Sequence, residues 1–512
     1  MKSKNILLTV CLTLSLSVAA WAQQLHYVVN LNDRSGDTFK VTVQIQGKLG
    51  KQPVIYQFAS TAPGTYQVMD MGRFVRKFEA LDNKGRPVEV EQVSVNQWEI
   101  KKPEKVRTVR YEIAETWDTP VQENPIYLMC GSSIGDDHVL INGQTVFGYF
   151  HGKQQAPFTI ELLYPEGWKV GTALNRNEQG YWLANNYDHA VDSPILLGNL
   201  TYAKDEVGGA QIDVYTYSAT GKINSTTLLS AMKDMLNAAS DFLNGLPVER
   251  YTFLFHFSDK SAGAWEHSYS SEYILKEGEW NEQMKNSVLS IAAHEFFHIV
   301  TPLNIHSEII EHFNFVKPTP SQHLWLYEGT TEWAAHMMQL RGGLIALDEF
   351  LERWGRKAYV DSRYFDSNYS LVALSLNSYT AEGQKQYSNI YYRGALVASL
   401  LDIRLLELSN GKRGLREVIL ELIDKYGASK PFPEDKFFDI FVEMTYPEIG
   451  DFFDRYVKNA EPLPLKEYFN KIGIDFKAED SASPAPAFVP MEHPTEAQLR
   501  LREAWLKNLP LR

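Results

Sequence analysis

Cysteine is almost missing: the 512-residue chain has two. Cys11 falls in an apolar leader, which leaves Cys130 alone in the remainder, so stability has to come from packed cores rather than a disulfide framework. Positive charge is also short. Fifty Lys and Arg against 63 Asp and Glu give a formal net charge of −13, with no basic run. This excludes a nucleic-acid-binding surface. Long apolar runs are scarce as well. Residues 6–19 are too short for a membrane span and no later stretch is longer, so no integral span is expected. What remains is a composition of 44% apolar and 22% charged residues, that of a folded chain with two to four domains.

The leader reads as a secretory signal peptide over residues 1–22. Lys2 and Lys4 supply the positive start, residues 6–19 the apolar segment, and Ala20-Trp21-Ala22 the small-x-small cleavage site, leaving Gln23 first. Val10 before an early Cys11 fits a lipobox poorly, so export to the periplasm or medium is expected and lipidation is not.

Residues 23–207 read as strands. Alternating segments such as Lys40-Val41-Thr42-Val43-Gln44-Ile45 are broken by turn signals at Asp82-Asn83-Lys84-Gly85 and Asn142-Gly143. We expect an antiparallel β-sandwich of about two sheets, acting as scaffold or as one wall of a cleft. After Gly208-Gly209 the pattern changes to α/β over 208–345. A strand at 211–217, a helix from Leu228 to Leu243 capped by Ser225 and Gly245, and a buried strand at 251–257 follow one another. Residues 346–475 are mostly helical, with segments at 395–408, 415–426, 436–444 and 449–457. Residues 476–512 read as a Ser/Ala/Pro linker at 481–490 and a charged terminal helix at 496–507.

One stretch organises the chain. Within 286–300, His294-Glu295-Phe296-Phe297-His298 sets two imidazoles four residues apart, one helical turn from each other on one face. Such a pair can share one cation, while Glu295 beside it can hold a water: the HExxH arrangement of zinc peptidases. The competing reading is two packed histidines and a surface acid. Ala292, Ala293, Phe296 and Phe297 make the helix apolar, and unpartnered polar groups are costly to bury in such surroundings. A catalytic zinc needs a third protein ligand and an open position. Glu328 is the candidate, with Glu332 four residues on positioned to accept a hydrogen bond from a ligand imidazole. His256, His267 and His306 read as packed residues rather than ligands.

HEFFH followed by Trp325-Leu326-Tyr327-Glu328-Gly329 resembles the gluzincin metallopeptidases. Upstream, Gly263-Ala264-Trp265-Glu266-His267-Ser268 is similar to a G-G-L-E-H-x-S segment of the glycyl aminopeptidase family. Ala62-Pro63-Gly64-Thr65-Tyr66 with Asp70 and Arg73, Asp192-Ser193-Pro194, and Tyr391-Tyr392-Arg393-Gly394-Ala395 also match, in order, over residues 50–470. The resemblance implies a β domain, a thermolysin-like catalytic domain and usually a PDZ domain; only some fifty residues follow Leu465, too few for that module. It further implies one Zn²⁺ per chain on His294, His298 and Glu328, with Glu295 as general base. Tyr391 would be oxyanion donor, with Tyr392 as fallback, and Glu266 the anchor of a substrate α-ammonium. Gly263, Ala264 and Trp265 would border the first pocket; Ala264-Trp265 departs from the family's glycine and leucine, and the indole either restricts that pocket or packs into its wall. The expected partners are peptides, with Gly or Ala first. An endopeptidase of the same metal class and a non-catalytic exported binding protein are the alternatives; the sequence does not fix the oligomeric state.

Overall fold

The structure is a computed structural model and describes residues 24–428, 430–478 and 485–511. The expected signal peptide, residues 1–22, and residues 481–484 of the expected linker lie outside the described residues.

Alternation builds the first half. Leu25, Tyr27 and Val29 of Gln24–Asn30, and Val41, Val43 and Ile45 of Thr38–Gln46, are buried while their neighbours are not. These strands lie mid-sheet in the order Asn175–Arg176, Trp182–Ala184, Phe158–Leu163, Gln24–Asn30, Thr38–Gln46, Val106–Ala114, Val75–Asp82 and Pro87–Val88. Two four-stranded sheets share its core, one through Tyr56 and Trp98 and the other through Ile141 and Leu197. The domain is therefore a sandwich of three sheets among the described residues rather than two. It is also not wholly antiparallel, because Gln24–Asn30 pairs parallel with Phe158–Leu163. Parallel neighbours need a long crossover, and the whole intervening chain supplies it. Asn142-Gly143 is not a hairpin turn but opens the helix Gly143–Val146. The Asn142 amide donates to the carbonyls of Met129 (3.2 Å) and Gly131 (2.7 Å), and a Cβ on Gly143 would stand 2.3 Å from the Ala190 carbonyl oxygen. Tight packing, not strand reversal, uses this pair.

The boundary expected at 207 moves back to about 200. Thr201–Val207 pairs antiparallel with Ala210–Ser218, and Gly208 and Gly209 (φ 59° and 83°) are the two positive-φ residues of their hairpin turn. The sheet they open runs Thr201–Val207, Ala210–Ser218, Arg250–Ser258, Ser270–Lys276, Gly263–His267, with the central three strands parallel. The helix Ser225–Leu243 makes the crossover, capped by Asn224 and Asn244 rather than by Ser225 and Gly245. Gly263–His267 is the edge strand. Its Trp265 belongs to the core of the β domain, so the two domains meet along this edge. A smaller apolar cluster of Leu140, Leu196, Leu200, Tyr217, Leu254 and Ile274 closes the seam further on.

The C-terminal half shares a single core with the five-stranded sheet. Its central helix is Asn389–Leu408, which begins six residues before the expected start and so carries Tyr391 in its first turn. The linker expectation also needs correction: Ala487–Pro490 is a strand paired with Ile474–Lys477. The terminal helix is Glu496–Trp505, and Trp505 is fully buried against Phe350 and Phe469. Leu501 and Ala504 pack beside it, so an apolar stripe docks a helix whose other face is charged.

Candidate metal centre

The helix with the two histidines spans Glu282–Phe297 and starts under an Asn281 cap, whose side chain accepts from the Met284 amide at 2.9 Å. His298 is the C-cap yet keeps helical angles (φ −63°, ψ −15°), so its ring still stands one turn from His294. Glu328 comes from Trp325–Gly329, a widened helical turn that runs into the helix Thr330–Arg341. Gly329 lets this turn meet the helix of Tyr391. A Cβ on Gly329 would lie 2.7 Å from Gly394 Cα, and one on Gly394 would lie 2.8 Å from Gly329 Cα.

Three donor atoms converge. His294 Nε2 and His298 Nε2 are 3.3 Å apart, and Glu328 Oε2 is 3.4 Å from the first and 3.5 Å from the second. Tetrahedral zinc with ligand bonds of about 2.0–2.15 Å requires edges of about 3.3–3.5 Å between its donors. The triangle has that size. Each imidazole is turned by its other nitrogen: His294 Nδ1 donates to Glu332 Oε2 (2.7 Å), and His298 Nδ1 to the Thr301 carbonyl (2.9 Å). Glu332 is held in turn by Lys357 and by His336 Nε2 at 3.1 Å, with Arg353 behind His336 at 3.0 Å. Glu328 Oε2 is buried with no hydrogen-bond partner among the described residues, an orphan that a cation would satisfy.

Electrostatics agree. Burial pushes the Glu328 carboxyl up, but His298 and His294 outweigh it and bring it down to about 2. Burial likewise opposes charge on His298, yet Glu266 and Glu328 raise it to about 9. Burial lifts Glu295 to about 7 and also raises Glu266. Glu332 is held well below the ordinary range because Lys357 and His336 overcome its burial. Four carboxyl groups thus crowd two imidazoles that they pull toward the charged form, a donor set that a dication would suit.

Glu266, His294, Glu295, His298 and Glu328 line one cavity of about 510 Å³, bordered also by Gly64, Tyr66, Tyr127, Met129, Ala264, Trp265, Gln384, Tyr387 and Tyr391, while Glu332, His336 and Lys357 lie behind it. Glu266, Glu295 and His298 form a second donor cluster within it, with ligand atoms within 4.8 Å of one another. The Tyr391 ring is 5.5 Å from that of His294. Tyr392 instead lies against Phe365 and Lys357 and does not border the cavity. Trp265 is 3% exposed and packs into the wall, while Gly263 (φ 118°) opens the edge strand. His267 faces Asp192 and the Trp265 ring, and His306 pairs with Glu311. His256 is buried at the domain seam. Asp137 accepts from His138 Nδ1 (3.1 Å), so His138 Nε2 is left to accept from His256 Nε2 (3.0 Å).

Known proteins decide the family. Residues 26–199 match the peptidase M61 N-terminal domain and residues 287–397 the M61 glycyl aminopeptidase domain, together more than half of the chain. The chain belongs to the M61 glycyl aminopeptidase family. As a member it is a zinc metallopeptidase of the aminopeptidase class. Among solved structures it is similar to an aminopeptidase N family protein from Idiomarina loihiensis, with a TM-score of 0.78 at 22% identity, covering 90% of this chain and 81% of that one. An M1 zinc metallopeptidase mutant from Deinococcus radiodurans bound to a Tyr-Ser-Ala substrate gives 0.52 at 14%, covering 86% and 94%. At such identities the likeness is one of fold. The chain has no match among curated proteins.

Sequence reasoning missed several residues of this M61 site. Lys357 and His336 fix Glu332 but sit on helical faces with no motif. Tyr387 precedes Tyr391 by one turn, a spacing that could have marked it. Gln384 and Tyr127 meet across the cleft, the tyrosine hydroxyl donating to Gln384 Oε1 at 3.3 Å, and nothing local in either segment signals the pairing.

Proposed function

We propose that the protein is an exported aminopeptidase that removes a small first residue, Gly or Ala, from peptides with one zinc ion held by His294, His298 and Glu328. The observation that carries this reading is the triangle of donor atoms with Glu266 in the same cavity. When bound, zinc supplies Lewis-acid polarisation of the scissile carbonyl and acidifies a water. Glu295, buried beside the two imidazoles in the same cavity, takes a proton from that water and returns it to the leaving amine. Tyr391 donates its hydroxyl to the developing oxyanion. Glu266 holds the substrate α-ammonium, which fixes attack at the first peptide bond. Glu332 keeps His294 in the tautomer that points Nε2 at the ion. Small first residues are supported by the family and by the Tyr66 and Trp265 rings, which border the same cavity as Glu266. The leader at residues 1–22 supports export, and N-terminal sequencing of the exported protein should begin at Gln23.

Free and N-acetylated tripeptides, assayed with and without a chelator, test the reading. Release of the first residue from free peptides alone is expected, lost on chelation and reduced about 10²–10⁴-fold in Glu295→Gln with zinc retained. Cleavage inside blocked peptides would make it an endopeptidase, and less than one zinc per chain after gentle purification would favour a binding protein.

A further inference from the structure

The geometry points to Tyr66 as a specificity-determining residue: a β-domain side chain whose ring walls the first-residue pocket against large side chains. This rests on the aminopeptidase reading above and adds a residue that no motif of the catalytic half contains.

Tyr66 has a left-handed backbone, φ 46°, a region that bulky side chains seldom adopt and where Asn or Gly would sit at ease. A turn that served the fold alone would select one of those residues. Here the conformation is held from both sides. Before it, Gly64 (φ 72°) passes so close to the catalytic edge strand that a Cβ would lie 2.6 Å from Glu266 Oε1 and 2.7 Å from Trp265 Nε1. Thr65 Oγ1 ties back to the Ala62 carbonyl at 2.7 Å, and the Gln384 amide reaches from the helical half to the Tyr66 carbonyl at 3.2 Å. Strain kept in place by contacts to two other parts of the molecule is a mark of a working position.

The strain aims the ring. Tyr66 is 5.3 Å from the Tyr387 ring and 6.0 Å from Tyr379, and Tyr387 is 6.1 Å from Tyr391, itself beside His294. An aromatic row therefore runs from the metal triad to the β domain. Tyr66 ends it and borders the same cavity as Glu266. With the α-ammonium at Glu266, the first side chain enters a cavity whose lining includes Tyr66 and the edge of the buried Trp265. Glycine and alanine fit against such a lining, and leucine or phenylalanine must displace part of it.

Two variants test this on the full-length zinc enzyme. Tyr66→Asn removes the ring while suiting the backbone, and Tyr66→Phe removes only the hydroxyl. The measurements are kcat/KM on Gly-, Ala-, Leu- and Phe-p-nitroanilide, zinc per chain, and melting temperature. Expected for Tyr66→Asn is one zinc, a melting temperature within about 3 °C of the parent, and a Gly-to-Leu preference reduced about tenfold or more. Tyr66→Phe is expected to keep the preference within about threefold. An unchanged preference in Tyr66→Asn overturns the inference, as does loss of zinc or of the fold in that variant, which would assign Tyr66 to structure. A preference that collapses in Tyr66→Phe overturns the wall in favour of the hydroxyl. A parent enzyme that ignores free amines and cuts blocked peptides instead refutes the underlying reading, so the two failures are told apart.

Discussion

Replacing Gly394 with Ala separates the placement of Tyr391 from the stability of the fold. The new methyl would stand 2.8 Å from Gly329 Cα, where a comfortable carbon–carbon separation is about 3.5–4.0 Å, so the two backbones must part by about 1 Å. Glu328 adjoins Gly329, and Tyr391 lies three residues before Gly394. The shift therefore falls between the metal triad and the residue proposed to meet the oxyanion. A displacement of about 1 Å in such a constellation costs on the order of 10²-fold in rate. Stability moves much less. Overpacking costs about 1–3 kcal/mol, but Gly→Ala inside the helix Asn389–Leu408 returns about 1 kcal/mol of helix propensity. We expect kcat to fall about 10²-fold while urea unfolding changes by no more than about 2 kcal/mol. Parent-like kcat in a folded, zinc-loaded Gly394→Ala protein would refute the argument. So would a stability loss large enough to explain the rate by unfolding.

Other predictions concern the supports of the site and the seam. Glu332→Gln leaves His294 without its carboxylate acceptor and should weaken zinc binding about 10–100-fold in chelator competition, with the fold intact. His256 is buried and its imidazole is pushed down to about 3, first by burial and then by His138, with Asp137 opposing and Lys260 adding to the shift. The unfolded chain therefore takes up this proton first, so stability is full above pH 6.5 and is lost as pH falls: about 2.7 kcal/mol by pH 4.5 from this group. Denaturant melts across that range should show a flatter acid limb in His256→Gln, and identical limbs would discount the group. Trp505→Ala empties the seat of the terminal helix and should cost about 3–5 kcal/mol, read by the same melts.

What the sequence disclosed follows from where the determining contacts lie. The two imidazoles were readable because both belong to one helix, and a four-residue spacing fixes their common face. Glu328 and Glu332 were readable by the same rule on the next helix. The strands of the first half announced themselves by alternation. Harder were features decided by distant partners. Gly208-Gly209 looked like a break between domains because a composition shift does not say which strands pair. Asn142-Gly143 has the residues of a hairpin, but the Met129 and Gly131 carbonyls claim its amide. Tyr66 and Gln384 gain their places only when separate parts of the chain close on one cavity, and Lys357 only when its helix packs behind Glu332; no local spacing encodes either. The closeness of Gly329 and Gly394 was hidden for the same reason, although each glycine stood in a quoted motif.

The seam along the edge strand carries a consequence for how this enzyme comes into being. The residues proposed to hold the metal lie wholly in the later half, but Gly64 and Tyr66 are synthesised some two hundred positions sooner. Without the earlier half, the Trp265 indole would lose the core it packs into, and Gly64 and Tyr66 would be missing from the cavity. The selectivity proposed for Tyr66 thus waits on the joining of both halves, and a chain still being made has that wall before it has the residues that would hold the metal.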